Sequence, residues 1–179
     1  MPTEDDFPLS AEEVKGLLQL ATQTYQKQAH ACLQANAPLA SCVMAGATVE
    51  AILSAVTCLL YDEALQTGKA PQKKGKTKKL LEWSFFELLD VAKEAKWLPE
   101  ELTLDAKVDF RSIKTPVKTD SIREVRNLVH PARYLKDGSG KEYTHGELST
   151  LQATCHAAYD CLINTICDRF PQFAYFKSS

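Results

Sequence analysis

The sequence predicts an all-α fold, a single bundle of four to five main antiparallel helices. Apolar residues recur at helical spacing over long stretches, and no β alternation extends beyond a few residues. Two capping boxes, Ser10-Ala-Glu-Glu13 and Thr144-His-Gly-Glu147, mark helix starts. Hydrophobic residues make up 45% of the 179 and charged residues 25%, which is typical of a soluble globular protein.

The first two helices are expected on either side of the loop that leads to Pro38. The first begins at Ser10 and ends near Leu33, and the second begins near Pro38 and ends near Leu65. Between residues 40 and 61 the only charge is Glu50, which favours a central helix buried on nearly all sides over a membrane span.

Three residues of this second helix have specific interpretations. Gly46 and Ala47 would allow another helix to approach closely. Glu50 is either a functional acid or a carboxylate that satisfies a neighbouring helix or pairs with an arginine.

The remaining elements follow from apolar spacing and from prolines. A third helix is predicted from about Thr77 to Leu98, and a short helical turn over residues 99–108. Residues 110–118 are interpreted as a connection, because Pro116 forbids a regular helix there. The last helix is predicted over residues 145–169. The bundle thus covers residues 10–170, with a flexible tail at 1–9 and a C-terminal tail at 171–179.

The six cysteines form no CxxC pair and lie within apolar helical patterns, so we interpret them as buried thiols in a reducing compartment. Cys155 and His156 are the nearest approach to a metal-ligand pair, but on a helix they point about 100° apart. No metal and no cofactor are expected. The acidic N-terminus lacks the pattern of a signal peptide, so a cytoplasmic location without membrane attachment is predicted.

Residues 67–79 are strongly basic and are punctuated by Gly68, Pro71 and Gly75. The stretch is predicted to be a mobile loop. It is either a solvated linker or an arm that contacts phosphates, in which case Lys73, Lys74 and Lys76 are the candidate substrate-binding residues. The formal net charge of the whole chain is −2, so any attraction for a polyanion would have to be local.

The most informative stretch is residues 121–134, SIREVRNLVHPARY. A helix is predicted here, capped by Thr119 or Asp120 and ending before Pro131. One side of that helix is an ordinary apolar stripe. The other side gathers four polar side chains within an arc of roughly 100°, with no carboxylate among them. These four candidate catalytic residues are Arg123, Arg126, Asn127 and His130.

The side chains on this polar side have the chemistry to bind an anion and to transfer a proton. Two guanidinium groups suit a phosphate or another dense anion. An imidazole can move a proton near neutral pH.

The run Arg126-Asn127-Leu128-Val129-His130-Pro131 resembles the signature of the HEPN superfamily, a group of small helical-bundle domains. In that family the penultimate helix carries an arginine and, roughly four to six residues later, a histidine. Three residues separate Arg126 from His130 here, and six separate Arg123 from His130. Arg123 therefore fits the count, whereas Arg126 fits the Arg-Asn context, and either is a candidate for the motif arginine.

The resemblance implies a metal-independent RNA endonuclease with a composite site at a homodimer interface. His130 would act as general acid or base, the two arginines would stabilise phosphorane charge, and Asn127 would orient His130 or the phosphate. The product would be a 2′,3′-cyclic phosphate. The family also suggests a toxin–antitoxin or phage-defence setting, with an antitoxin as a possible protein partner.

Two alternatives remain open at this point. The chain could be a non-catalytic HEPN-like module that dimerises and binds a protein or small ligand. The polar side could also be structural, with Arg123 and Arg126 paired to acids such as Glu50 or Asp109 and with His130 bonded to a loop carbonyl.

Overall fold

In a computed structural model of the chain, the residues described are 8–108, 111–128 and 143–178. Backbone alone is described for 106–108, 111–113, Arg126, Asn127 and Ser178. The helices are α1 (Ala11–Gln19), α2 (Gln26–Gln34), α3 (Pro38–Leu59), α4 (Tyr61–Gln66), α5 (Phe85–Glu94), α6 (Arg123–Asn127) and α7 (His145–Arg169). A π-helical segment (Leu20–Tyr25) joins α1 to α2, and 3₁₀ turns cover Leu80–Glu82, Thr119–Ile122 and Pro171–Ser178.

Helix α3 is the centre of the fold, as its composition predicts. It packs against α1, α2, α5, α6 and α7. Among the described helices it alone is long and apolar enough to cross a membrane, but 67% of its most apolar window is buried inside the protein. Its apolar surface is therefore covered largely by the protein's own helices.

The predicted capping boxes are both confirmed. Ser10 and Glu13 exchange hydrogen bonds at the start of α1, and Thr144 and Glu147 do so at the start of α7. A third box, between Ser84 and Glu87, starts α5. The third helix therefore begins seven residues later than predicted from Thr77, after a 3₁₀ turn in which Leu81 stays 71% exposed.

The helical class is confirmed in its main elements, but the expectation of no strands is wrong. Strand β1 (Gln72–Lys73) pairs antiparallel with β2 (Lys76–Thr77). Strand β3 (Glu101–Val108) pairs antiparallel with β4 (Arg111–Lys118), where a helical turn and an irregular connection are predicted. All eight residues of β3 alternate between polar and apolar, which is the period of a strand, so the statement that no alternation exceeds a few residues is wrong here. Pro116 is tolerated because each strand of a two-stranded ribbon is an edge.

The C-terminal segment predicted as a tail is docked on the bundle. Its 3₁₀ turn packs against α7, with Phe176 fully buried and Phe173 nearly so. At the other end, Leu9 is buried, although it falls in the predicted flexible tail. Residues 1–7 lie outside the described residues.

The thiol prediction is confirmed for four of the six cysteines. Cys42, Cys58, Cys155 and Cys167 are buried, whereas Cys32 and Cys161 are partly exposed, and all six are free. Burial raises the pKa of Cys42 and that of Cys58 to about 11, so neither is a ready nucleophile near neutral pH.

Candidate functional site

The predicted motif helix is anchored on α3 through its apolar side. Ile122 is fully buried and Val125 is 4% exposed. The Val125 side chain fills the space where Gly46 of α3 has no Cβ, so the close approach predicted at Gly46 is confirmed. The described part of this segment is a 3₁₀ turn followed by the short helix α6.

The predicted N-cap of this helix is wrong. Ile122 occupies the cap position of α6 and makes no side-chain cap bond. The Thr119 hydroxyl instead donates to the carbonyl oxygen of Pro99 at 2.5 Å. The Asp120 carboxylate accepts hydrogen bonds from Lys93 and Arg123, both at 2.9 Å. Neither side chain caps the helix, because Thr119 binds the distant Pro99 and Asp120 binds Lys93 and the Arg123 side chain.

Arg123 is held by two carboxylates and an aromatic ring. Its Nη2 donates to Asp90 on α5, and its Nε donates to Asp120 Oδ1 at 2.9 Å. Its guanidinium carbon lies 5.4 Å from the centre of the Phe86 ring, which adds a cation–π contact. The expectation of a polar side without carboxylate partners is therefore wrong for Arg123, and the structural alternative describes this residue correctly.

The Asp120 carboxylate binds two cations that lie on different elements, Lys93 and Arg123. Lys93 of α5 is within 2.9 Å of Asp120, and Arg123 approaches the same oxygen. Hydrogen bonds from Lys93, and to a smaller extent from Arg123, lower the pKa of Asp120 below its usual value, although partial burial opposes this. This network fixes the start of α6 to α5.

The other three candidate catalytic residues remain predictions. The backbone of Arg126 and Asn127 belongs to α6, but their side chains are outside the description, and His130 lies beyond the described residues. The composite Arg/His site is therefore neither assembled nor excluded by the geometry.

A cavity of about 410 Å³ lies between α6 and the start of α7. Its lining includes Glu124 and Glu147, together with Thr144 and Thr150. Two carboxylates at this position disfavour a phosphate in this cavity. An anion is therefore expected to approach the motif from another side.

The basic stretch contains a short β-hairpin, where composition predicts an irregular loop. Strand β1 (Gln72–Lys73) pairs with β2 (Lys76–Thr77), and the backbone of Lys78 donates to Pro71. Lys74 and Gly75 have φ values of 53° and 75°, the positive values that a type I′ turn requires. The three candidate substrate-binding lysines, Lys73, Lys74 and Lys76, therefore lie together on one exposed hairpin.

Helix α5 holds both this hairpin and the motif segment. Glu87 binds the Lys78 amine at the base of the hairpin at 2.5 Å, and the Trp83 indole donates to the Lys78 carbonyl. On the same helix, Asp90, three residues after Glu87, and Phe86, directly before it, contact Arg123. Residues 86–90 were predicted only as a helical stretch, because their partners are distant in sequence.

Helix α7 carries a second pair of titratable side chains, His156 and Asp160. Burial lowers the pKa of His156 and raises that of Asp160, which lies four residues later. Among the described residues no group of three or more histidine, cysteine, aspartate or glutamate side chains is placed to hold a metal ion.

Comparison of the chain with protein-family models, with curated proteins and with solved structures found no match.

Proposed function

We propose that this chain is a metal-independent RNA endonuclease of the HEPN type, with its reacting groups in residues 126–130. The sequence Arg126-Asn127-Leu128-Val129-His130 carries the proposal. The placement of Arg123 supports a modified form, in which Arg123 positions the segment and Arg126 serves as the motif arginine. The contacts of Val125 with α3 and of Arg123 with α5 hold the start of α6, the helix whose backbone includes Arg126 and Asn127.

The residue types suffice for cleavage without a metal. The ribose 2′-oxygen attacks the adjacent phosphorus as His130 removes its proton, and the bond to the 5′-oxygen breaks. A second His130, from the other copy in a homodimer, protonates the leaving 5′-oxygen. Arg126 offsets the charge that develops on the phosphorane, and Asn127 orients the imidazole or the phosphate. The products are a 2′,3′-cyclic phosphate and a 5′-hydroxyl.

A second function is favoured by one observation. Arg123 has the family's usual spacing from His130, yet two carboxylates neutralise it. A non-catalytic HEPN-like module, which dimerises and binds a protein partner, would need no free arginine at this position. A toxin–antitoxin or phage-defence role in the cytoplasm is compatible with either function.

The test is cleavage of a mixed RNA pool in EDTA by the wild-type protein and by His130→Ala, with analysis of the product ends. We expect cyclic phosphate ends from the wild type and a loss of about 100-fold or more in His130→Ala. His145→Ala is the matched control, because His145 is an exposed histidine at the start of α7. This variant should cleave RNA as fast as the wild type.

Two results would contradict the proposal. Equal cleavage by wild type and His130→Ala would place the activity elsewhere. Absence of cleavage by a folded, dimeric wild-type protein over a wide concentration range would favour the binding module.

A further inference from the structure

The lysine hairpin, residues 69–79, is the most strongly charged surface that the structure describes. It contains six lysines and no acidic residue. Two of the six pair with carboxylates from outside it, Lys73 with Glu82 at 3.7 Å and Lys78 with Glu87 at 2.5 Å. No ion pair is described for the other four, which are exposed: Lys69, Lys74, Lys76 and Lys79.

The hairpin is preorganised, unlike a solvated linker of the same composition. Its ladder, its positive-φ turn and the anchoring of Lys78 to Trp83 and Glu87 fix the backbone before any ligand binds. Little backbone entropy is then lost when the lysines engage a partner. Holding several like charges together costs electrostatic energy, which a polyanion would relieve.

We propose that the lysine hairpin binds the phosphate backbone of single-stranded RNA without reading its bases. The inference rests on the proposed function only in naming RNA among polyanions. Lysine offers point charges, which suit phosphates, and its ammonium group has no planar surface that could stack on a base. With a net charge of −2 on the chain, this local cluster is what would attract the strand.

The anchoring on α5 connects this surface to the proposed cleavage segment. Glu87 holds the base of the hairpin, and Asp90, one turn later, holds Arg123 at the start of α6. These two positions on a helix lie about 5–6 Å apart. A strand bound on the hairpin is therefore kept beside the helix that positions the motif segment.

RNA is favoured over a membrane surface or an apolar protein groove by the side chains of the hairpin. The two strands and the turn, Gln72 to Thr77, carry no apolar side chain that could insert into a bilayer. Leu81 is exposed nearby but lies outside the hairpin. Leu81→Ser should therefore weaken binding to a membrane or protein but leave RNA binding unchanged.

The test is binding of a fluorescent 20-nucleotide uridine strand with 2′-O-methyl groups, which cannot be cleaved through the 2′-oxygen. The full-length wild type is compared with the triple variant Lys73→Ala, Lys74→Ala and Lys76→Ala over a range of salt concentrations. We expect affinity at low salt to fall about tenfold or more, and the slope of log affinity against log salt to fall by about 2. The anchor Lys78 is unchanged, and circular dichroism checks the fold.

The matched control removes three exposed lysines elsewhere, Lys15, Lys27 and Lys118, with the same change in charge. It should bind RNA within about twofold of the wild type. Equal losses in the two triple variants would overturn the proposal, as would no RNA binding by the wild type. Binding confined to vesicles that contain phosphatidylserine, with sensitivity to Leu81→Ser, would assign the surface to a membrane instead. RNA binding that depends on the hairpin lysines, together with no cleavage of unmodified RNA in EDTA, would support the hairpin proposal and reject only the endonuclease.

Discussion

At the scale of single residues, Arg123 has the contacts of a positioning residue. Its side chain is 31% exposed, and its guanidinium contacts Asp90, Asp120 and the Phe86 ring. A phosphate would have to compete with two carboxylates that are already in contact. These contacts instead connect α6 to α5, which is what a segment carrying reacting groups requires for fixed geometry.

We expect Arg123→Ala to lower the free energy of unfolding by about 1–2 kcal/mol, because it removes two ion pairs and a cation–π contact. A double-mutant cycle with Asp90→Ala, measured by urea unfolding, should give a coupling of about 0.5–1 kcal/mol. Arg169→Ala is a suitable comparison, since Arg169 is bound to Glu63 at similar exposure and should cost less than about 1 kcal/mol. A coupling energy near zero would show that the contact between Arg123 and Asp90 does not stabilise the fold.

The contacts of Asp120 with Lys93 and Arg123 should make the free energy of unfolding depend on pH. Because its pKa is lowered in the folded protein by Lys93 and Arg123, its contribution to stability is present above the unfolded pKa of about 3.9. That contribution is lost as the pH falls through the lower folded pKa. The stability difference between wild type and Asp120→Asn should therefore be constant near neutrality and shrink below about pH 4. A difference unchanged down to pH 3 would show that the carboxylate is not stabilised there.

Residue roles were predictable from the sequence only where the partners are local. The caps formed by Ser10 and Thr144 follow from spacings of three residues. The partner of Arg123 on α5 lies 33 positions away, and nothing in the local pattern indicates it. The polar arc of residues 123–130 was visible, but the use of its first arginine was not.

At the scale of elements, the contact between α3 and α6 depends on one missing Cβ. A Cβ on Gly46 would overlap Val125 Cγ1, whereas a Cβ on Gly16 of α1 would meet nothing within 4 Å. Both glycines lie in helices, so alanine improves helix propensity by about 1 kcal/mol at either position. The two sites therefore separate packing from propensity.

We expect Gly46→Ala to lower the free energy of unfolding by about 1–2 kcal/mol, because overpacking outweighs the propensity gain. Gly16→Ala should raise it by up to about 1 kcal/mol. Both values come from urea unfolding, and adding Val125→Ala to Gly46→Ala should recover part of the loss only if the clash is at Val125. A stable Gly46→Ala protein would contradict the close packing of α6 on α3.

The two hairpins show where element prediction failed. The alternation in β3 was present in the sequence, but the helical pattern on either side and Pro116 favoured a different interpretation. In the lysine hairpin the Lys74-Gly75 turn was the available signal, and the density of charge masked it. Long helices were predictable because their apolar period repeats many times, whereas a two-residue strand offers no period.

At the scale of the whole molecule, one central helix organises the fold, and α5, which packs on it, contacts both the lysine hairpin and the start of α6. α3 receives α6 at Gly46 and packs on α5, and α5 holds both Arg123 and the lysine hairpin. The helical bundle with its central apolar helix was predictable from composition. The link between the hairpin and the motif segment was not predictable, because it depends on two ion pairs of α5 with residues distant in sequence, Glu87 with Lys78 and Asp90 with Arg123.

We propose that Arg126 belongs to the reacting site and that Arg123 positions it. These two roles are separated by the rate of RNA cleavage in EDTA by Arg126→Ala and Arg123→Ala, at saturating RNA, measured beside the free energy of unfolding of each variant. We expect Arg126→Ala to lose about 100-fold or more in rate with little change in stability, whereas Arg123→Ala should lose stability and a smaller part of the rate. The reverse pattern, full activity in Arg126→Ala and a stable but inactive Arg123→Ala, would contradict it.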